Sequence, residues 1–367
     1  MSATLTDDRR LTYNQAAVKY ANTIDNLRQE ARASRAGSRP LETLFPPHNR
    51  TGLGVALEWQ AMGEARVSNT LQAQAEAFGY EFEHLGLTIG TVIHNIDLRD
   101  GLDAQRLQFV RNTLLERKVI FFREQHLGED EHVAFARRFG SLDAFPFGKS
   151  GDNPYIYELY HGKDNPGAVN LWHTDVTWMA EPSLGSIAQC IDIPPHGGDT
   201  LFADSHAAYH GLGAELQEQL RYVQGIHDYR TFLGTGKRAL PEALVAQIKA
   251  EIPFGVSHPL LRTHPETGKT ALYLHGGFLH HDSLYDVRDG KRWEAARAVE
   301  VVRQLLKQHG VPEYSCRFKW APGSMAFWDN RACQHYATSD YWPHRRLLRR
   351  VTVSGDKPFY EPQRAYV

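Results

Sequence analysis

The sequence predicts a mainly β domain of two packed layers, flanked by helices. Three observations carry that expectation. Compact runs of β-branched and aromatic residues recur, as in Lys118-Val119-Ile120-Phe121-Phe122-Arg123. Turn signals punctuate the chain at short intervals, at Pro166-Gly167, Pro194-Pro195, Gly197-Gly198 and Pro322-Gly323. Few stretches have the length and 3.6-residue periodicity of a long helix, and many short strands with few long helices make a double-layered β architecture.

In chain order, Leu11 to about Phe78 has a different texture from the rest. Asn14 to Ala33 is rich in Ala, Gln, Glu and Arg, with apolar residues at Ala17, Val18, Tyr20, Ala21, Ile24 and Leu27, which is roughly helical spacing. Ser34 to Thr51 carries Gly, Pro and Asn and reads as a connector, and Asn69 to Phe78 reads as a second helix. Residues 1–80 are therefore expected to form an N-terminal helical extension, and residues 81–367 the main domain. The extension is expected to wrap the outside of the β domain; an oligomer contact or a lid is the functional alternative. Leu85 to Val92 is expected as a strand, Asp103 to Arg117 as a helix, and Glu129 to Phe139 as another, closed by Gly140. Further helices are expected near Ala214 to Leu220, Leu240 to Ala250 and Lys291 to Gln308. The chain has no internal repeats and no low-complexity tracts.

Composition narrows the function. A net charge of -2 over 367 residues argues against nucleic acid as the main partner. No apolar run approaches the roughly 18 to 20 residues that a membrane helix needs. Met1 to Arg10 is polar and includes Asp7 and Asp8, unlike a secretory or transit segment, so a cytoplasmic protein is expected. Cys190, Cys316 and Cys333 are odd in number and scattered, with no disulfide framework or zinc spacing, and are expected to be structural or incidental.

The chemistry concentrates in Trp172-His173-Thr174-Asp175-Val176-Thr177-Trp178. In an extended segment, residues two apart share a face, so His173 and Asp175 would converge on one point. A third ligand is offered by His335, in the stretch that follows Phe327-Trp328-Asp329-Asn330-Arg331. Two His and one carboxylate on one face of a metal is the arrangement of non-haem Fe(II) oxygenases, because it leaves the opposite face free. Spacing alone is a weak signal, since His280-His281-Asp282 and His264-Pro265-Glu266 show it too. Thr263 to Lys269, however, has the Pro and Gly punctuation of a turn, whereas Val176-Thr177-Trp178 reads as the continuation of a β-type run.

Four segments in the right order add specificity: Trp172 to Trp178; Pro194-Pro195-His196-Gly197-Gly198-Asp199-Thr200-Leu201-Phe202; Trp328 to Arg331 with His335-Tyr336; and Arg345-Arg346 through Gly355-Asp356-Lys357-Pro358. From about Gly86 to Pro358 the chain resembles the taurine/aryloxyalkanoate dioxygenase (TauD/TfdA) family of Fe(II)- and 2-oxoglutarate-dependent enzymes. The resemblance implies a double-stranded β-helix core of the jelly-roll, cupin-like kind. It implies Fe(II) at His173, Asp175 and His335, with 2-oxoglutarate and O2 as co-substrates, and it places the distal carboxylate of 2-oxoglutarate on Arg346 and Thr200. An arginine suits that role because its planar fork pairs with both carboxylate oxygens.

In an extended Arg345 to Val353, positions 346, 348, 350 and 352 share one face, so Arg346 and Arg350 can both point inward, while Arg345 and Arg349 read as surface charges. The resemblance implies that Arg350 meets the anionic end of the prime substrate. Where the taurine enzyme has a His for the sulfonate, this chain has Phe145, and Val169, Val176, Phe232, Leu233 and Phe278 fall at other substrate positions. The expected substrate is a small acid less polar than taurine, with a sulfonate or alkylsulfate as the alternative. Asp175 argues against a halogenase, which needs that carboxylate position vacated. A zinc hydrolase built on the same triad would need neither Arg346 nor Thr200, and a catalytically silent 2-oxoglutarate-binding protein would not need the intact triad. A homo-oligomer is expected.

Overall fold

The computed structural model describes residues 67–99, 101–146, 153–167, 169–233, 240–252 and 254–361. The helix expected at 14–33 and the connector at 34–51 lie outside the described residues. In chain order the strands are β1 (Glu81–His84), β2 (Thr91–His94), β3 (Val119–Phe122), β4 (Leu142–Asp143), β5 (Tyr157–His161), β6 (Gly185–Asp192), β7 (Thr200–Asp204) and β8 (Val223–His227). They continue as β9 (Val256–Pro259), β10 (Leu261–Thr263), β11 (Thr270–Leu272), β12 (Tyr285–Asp286), β13 (Ser315–Phe318), β14 (Met325–Asp329), β15 (Cys333–Ala337) and β16 (Arg346–Val353). The helices include α1 (Asn69–Phe78), α2 (Ala104–Arg117) and α3 (Glu129–Arg137).

Two facing sheets form the core. The larger runs β1-β2-β3-β14-β6-β16-β4, with β5 also paired to β16; the smaller runs β13-β7-β15. Val119, Phe121, Ala188, Trp328 and Leu348 of the larger sheet pack against Phe202, Cys316, Phe318 and Cys333 of the smaller, and Phe121 stacks on Phe318 at 4.0 Å. The protein is thus mainly β with flanking helices, and its facing sheets fit the expected jelly-roll. On its other face the larger sheet buries Ile120, Phe122, Ile187, Met325, Phe327, Val351 and Val353 under Phe109 and Leu114 of α2 and Val133 and Phe135 of α3. All four residues of β3 are buried because both of its faces are covered, which is why it reads as a continuous apolar run and not as an alternation.

Most expected elements are present, within a residue or two at their ends for α1, α2, β3 and β16. Two differ. Leu85 to Val92 is not one strand: β1 and β2 are an antiparallel pair joined across residues 85–90. There Gly90 sits at φ 79°, and a Cβ on it would lie 2.4 Å from the Cys316 sulfur. The loop closes around a cation, since the buried Arg117 guanidinium donates to the carbonyls of Gly86, Leu87, Ile89 and Gly90. The Glu129 helix stops at Arg137, short of the Gly140 expected to close it. The Thr263 to Lys269 turn is as expected and joins β10 to β11. Among the described residues, no helix is long and apolar enough to cross a membrane.

Candidate active site

His173 and His335 meet through their backbones. The two residues form an isolated antiparallel bridge, exchanging N–H to carbonyl bonds of 3.0 and 2.7 Å, and their imidazole centroids are 4.0 Å apart. After the bridge the chain turns. Residues 175–178 form a turn in which Val176 takes φ 50° and the Met179 N–H donates to the Val176 carbonyl, so the expected β-type run through Trp178 is corrected. Asp175 opens this turn, two residues after the bridged His173. Asn330 anchors it: its carbonyl accepts from the Thr174 hydroxyl at 2.6 Å, and its side-chain oxygen accepts from the Asp175 N–H at 3.2 Å and from the Trp328 indole at 3.0 Å.

One ligand atom from each of His173, Asp175 and His335 lies within 4.8 Å of the others, and all three residues are buried. The Nδ1 of His173 is 2.8 Å from the Leu171 carbonyl, which can only accept, so Nδ1 carries the proton and the Nε2 lone pair is free. Burial lowers the pKa of His173 and, more strongly, of His335, so both rings stay neutral. At Asp175 burial raises the pKa, but the Arg350 guanidinium and a 2.8 Å bond from the Ser186 hydroxyl hold the carboxyl well below its usual range. Two neutral imidazoles and one ionised carboxylate within one coordination sphere fit Fe(II). Cys333 is no part of this set; its thiol faces the Lys118 carbonyl at 3.7 Å.

A cavity opens beside the triad, lined by His173, Thr200, Trp320, His335, Arg346 and Arg350 among others. Strand alternation on β16 is as the sequence predicts: Arg346, Leu348 and Arg350 face this cavity, whereas Val351 and Val353 pack under the helices. Arg346 donates to the Gly198 carbonyl at 2.9 Å and lies 3.4 Å from the Thr200 hydroxyl, which also accepts from the Trp320 indole. Arg349, on the outer face, pairs with Glu158 and Glu129. Arg350 donates from Nη1 to Asp175 Oδ1 at 2.9 Å.

Of the expected substrate positions, Val169 lines the cavity. Val176, Phe232, Leu233 and Phe278 gather instead in an adjoining apolar cluster with Trp178 and Tyr229, and Phe145 joins it through Phe232 at 5.5 Å. Phe278 stacks at 3.8 Å on His275, a buried imidazole 5.1 Å from the His173 ring, so the cluster abuts the triad. Sequence reading singled out neither His275 nor Trp320, Ser186 and Tyr157. Nothing in their local spacing marks them, because each reaches the site through strand register or a distant turn. Asn330 lies within a segment the sequence did single out, without a role attached.

The sequence profile described as "Taurine catabolism dioxygenase TauD, TfdA family" matches residues 81–352. The chain is 35% identical to an alkylsulfatase of Acinetobacter baylyi, over 73% of this chain and 83% of that protein. It is 33% identical to an alpha-ketoglutarate-dependent sulfate ester dioxygenase of Pseudomonas putida, over 74% of this chain and 88% of that one. The crystal structure of a Burkholderia xenovorans protein described as an alpha-ketoglutarate-dependent taurine dioxygenase superposes with a TM-score of 0.63 at 35% identity, covering 77% of this chain and 95% of that one.

Proposed function

The chain belongs to the TauD/TfdA family and is an Fe(II)- and 2-oxoglutarate-dependent dioxygenase; from that premise we propose that it oxidises an unactivated C–H bond of a small organic anion with an apolar body. His173, Asp175 and His335 hold the iron, and Arg346 with Thr200 takes the distal carboxylate of 2-oxoglutarate. When bound, iron with 2-oxoglutarate and O2 supplies the oxidant for the C–H bond, as 2-oxoglutarate loses carbon dioxide and becomes succinate. The protein contributes placement. Asp175 stays ionised beside Arg350, neutral imidazoles leave lone pairs for the metal, and the sheet-to-sheet core keeps the cavity wall dry.

The observation that carries the substrate reading is the position of Arg350. Its guanidinium lines the cavity and uses one N–H on Asp175, while its buried Nε has no hydrogen-bond partner among the described residues. A buried cation with donors left over calls for an anion, and the phenylalanine cluster next to it suits an apolar body. Alkyl sulfates are the first class to test, given what the two curated relatives are named for. A hydroxyl placed on the carbon that bears the ester oxygen gives an unstable adduct that releases sulfate and an aldehyde. We also place the boundary of the catalytic domain near residue 80, next to the start of the family match.

The test is succinate formation by the Fe(II)-loaded protein with 2-oxoglutarate and O2 across alkyl sulfates, alkanesulfonates, aryloxy acids and branched-chain acids. Stimulation by an anion with an apolar body, accompanied by its oxidation product, is expected. Stimulation by small hydrophilic acids alone would overturn the substrate reading, and failure to bind 2-oxoglutarate would overturn the site.

A further inference from the structure

We propose that Tyr157 is a specificity-determining positioning residue: it fixes the Arg350 guanidinium where one cation is shared between Asp175 and the anionic head of the substrate. This rests on the reading of Arg350 as the anion receptor. Strand β16 lies between β5 and β6, and Arg350 is in register with Tyr157 on one side and Ala188 on the other. Residues directly paired across strands share a face, so Arg350 has an aromatic wall to one side and only a methyl group to the other. Its Cζ lies 5.5 Å from the Tyr157 ring centroid, within reach of a cation–π contact.

Tyr157 also belongs to a series of rings. Phe145 is 4.2 Å from it, Phe232 is 5.5 Å from Phe145, and Phe278 is 5.1 Å from Phe232. His275 then bridges Phe278 to His173, an iron ligand. The arc therefore runs from the anion receptor to the metal, and a substrate held by its head at Arg350 lays its apolar body along it. At the other end of the strand, Arg346 is in register with His161, and Leu348 with Leu159 lies between the two arginines. Four residues of strand put the arginine Cα atoms roughly 13 Å apart, with an apolar pair between them, so the two anions stay on separate sites. Without the Tyr157 ring only the Asp175 bond holds the guanidinium, which can then pivot toward Ala188, loosening the head and misplacing the body relative to the iron.

The experiment compares Tyr157→Leu, Tyr157→Phe and Arg350→Gln in the full chain loaded with Fe(II), using hexyl sulfate and phenoxyacetate as probes. The measurements are the KM for each anion, the KM for 2-oxoglutarate, the ratio of succinate to oxidised product, and an oxygen-free titration followed by the visible absorption of the iron–2-oxoglutarate complex. For Tyr157→Leu, a rise of about tenfold in the anion KM and titration midpoint is expected, in line with a lost cation–π contact at a desolvated site. The 2-oxoglutarate KM should stay unchanged and the succinate-to-product ratio should rise. Tyr157→Phe should behave as the parent, because the ring face and not the hydroxyl does the positioning.

An unchanged anion KM in Tyr157→Leu overturns the inference. So does a parallel rise in both KM values, which marks a structural defect, or a Phe variant as impaired as the Leu variant. If Arg350→Gln raises the anion KM while Tyr157→Leu does not, the inference alone fails. If Arg350→Gln leaves it unchanged, or the parent protein binds neither probe, the reading of Arg350 fails and the inference with it.

Discussion

The backbone of His173 donates to the carbonyl of His335, and the backbone of His335 donates back, at 3.0 and 2.7 Å. The two imidazoles are thus brought together by main-chain atoms that any residue would supply. Removing one side chain should therefore abolish the metal site and leave the bridge. His335→Ala is expected to lower iron-dependent succinate formation by more than about 100-fold, beyond the 10- to 100-fold typical of groups that only support a ligand. Its far-ultraviolet circular dichroism should match the parent. Retained iron-dependent turnover would remove His335 from the triad.

Arg346 is the clearest case for separating the two anion sites. Its Nε is fixed on the Gly198 carbonyl and its Nη2 sits beside Thr200, leaving the fork aimed into the cavity. A lysine keeps the charge and loses the fork. Arg346→Lys is expected to lose one charged hydrogen bond, about 1.5–3 kcal/mol, which raises the KM for 2-oxoglutarate roughly 10- to 100-fold. The KM for the prime substrate should change little. Equal effects on both would mean that the arginine supports the whole cavity and not the 2-oxoglutarate site.

How much of this was legible depended on whether a local rule decided the position. Alternation along β16 is local, so Arg346 and Arg350 could be placed inward and Arg349 outward from sequence alone. The triad was legible as a set of residue types in recognisable surroundings, and His173 and Asp175 do converge; what the sequence did not show is that the chain turns at once after Asp175, with Val176 at positive φ and Asn330 holding the Asp175 N–H. Tyr157 was invisible because a strand's register with its neighbours is not written in the strand, and His275 because it lies in the loop after β11, outside any periodic element. The 85–92 segment failed for a similar reason. Its apolar alternation suits a strand, and what bends it is a guanidinium contributed by a helix about 30 residues downstream in the chain.

That cation is itself testable. Arg117 is fully buried, and besides four carbonyls its Nε reaches the Thr91 hydroxyl at 2.7 Å. No acidic side chain is among these five acceptors; they are four backbone carbonyls and one hydroxyl gathered around one guanidinium. Arg117→Ala is expected to leave several buried acceptors unsatisfied, at about 1–3 kcal/mol each before relaxation. Destabilisation of about 3 kcal/mol or more should show in urea unfolding. Arg117→Lys should recover only part of it, since three donors on a flexible stem cannot span the same set. A change under about 1 kcal/mol for Arg117→Ala would show that the loop holds its shape without the cation.

The response to acid follows from histidines away from the metal. Burial holds His132, His258 and His309 at pKa values of about 4 and His206 at about 3, so all four stay neutral in the folded protein at pH 6. In the unfolded chain a histidine titrates near 6.5, so below about pH 6.5 the unfolded state binds protons that the folded state does not. Stability should therefore fall as pH drops from about 6.5 toward 4, each group adding up to about 1.4 kcal/mol per pH unit to the slope. Carboxylates act in a lower window. At Asp204 burial opposes ionisation, but the Lys118 ammonium helps hold its pKa to about 2, so its contribution is present above the ordinary carboxyl pKa near 4 and is lost as pH falls toward 2. Urea midpoints at pH 7.5, 6.5, 5.5 and 4.5 should decline across the histidine window, and more gently in His132→Gln, which removes one of the four groups. A midpoint that holds steady down to pH 4.5 would mean that these imidazoles already bind protons in the native state.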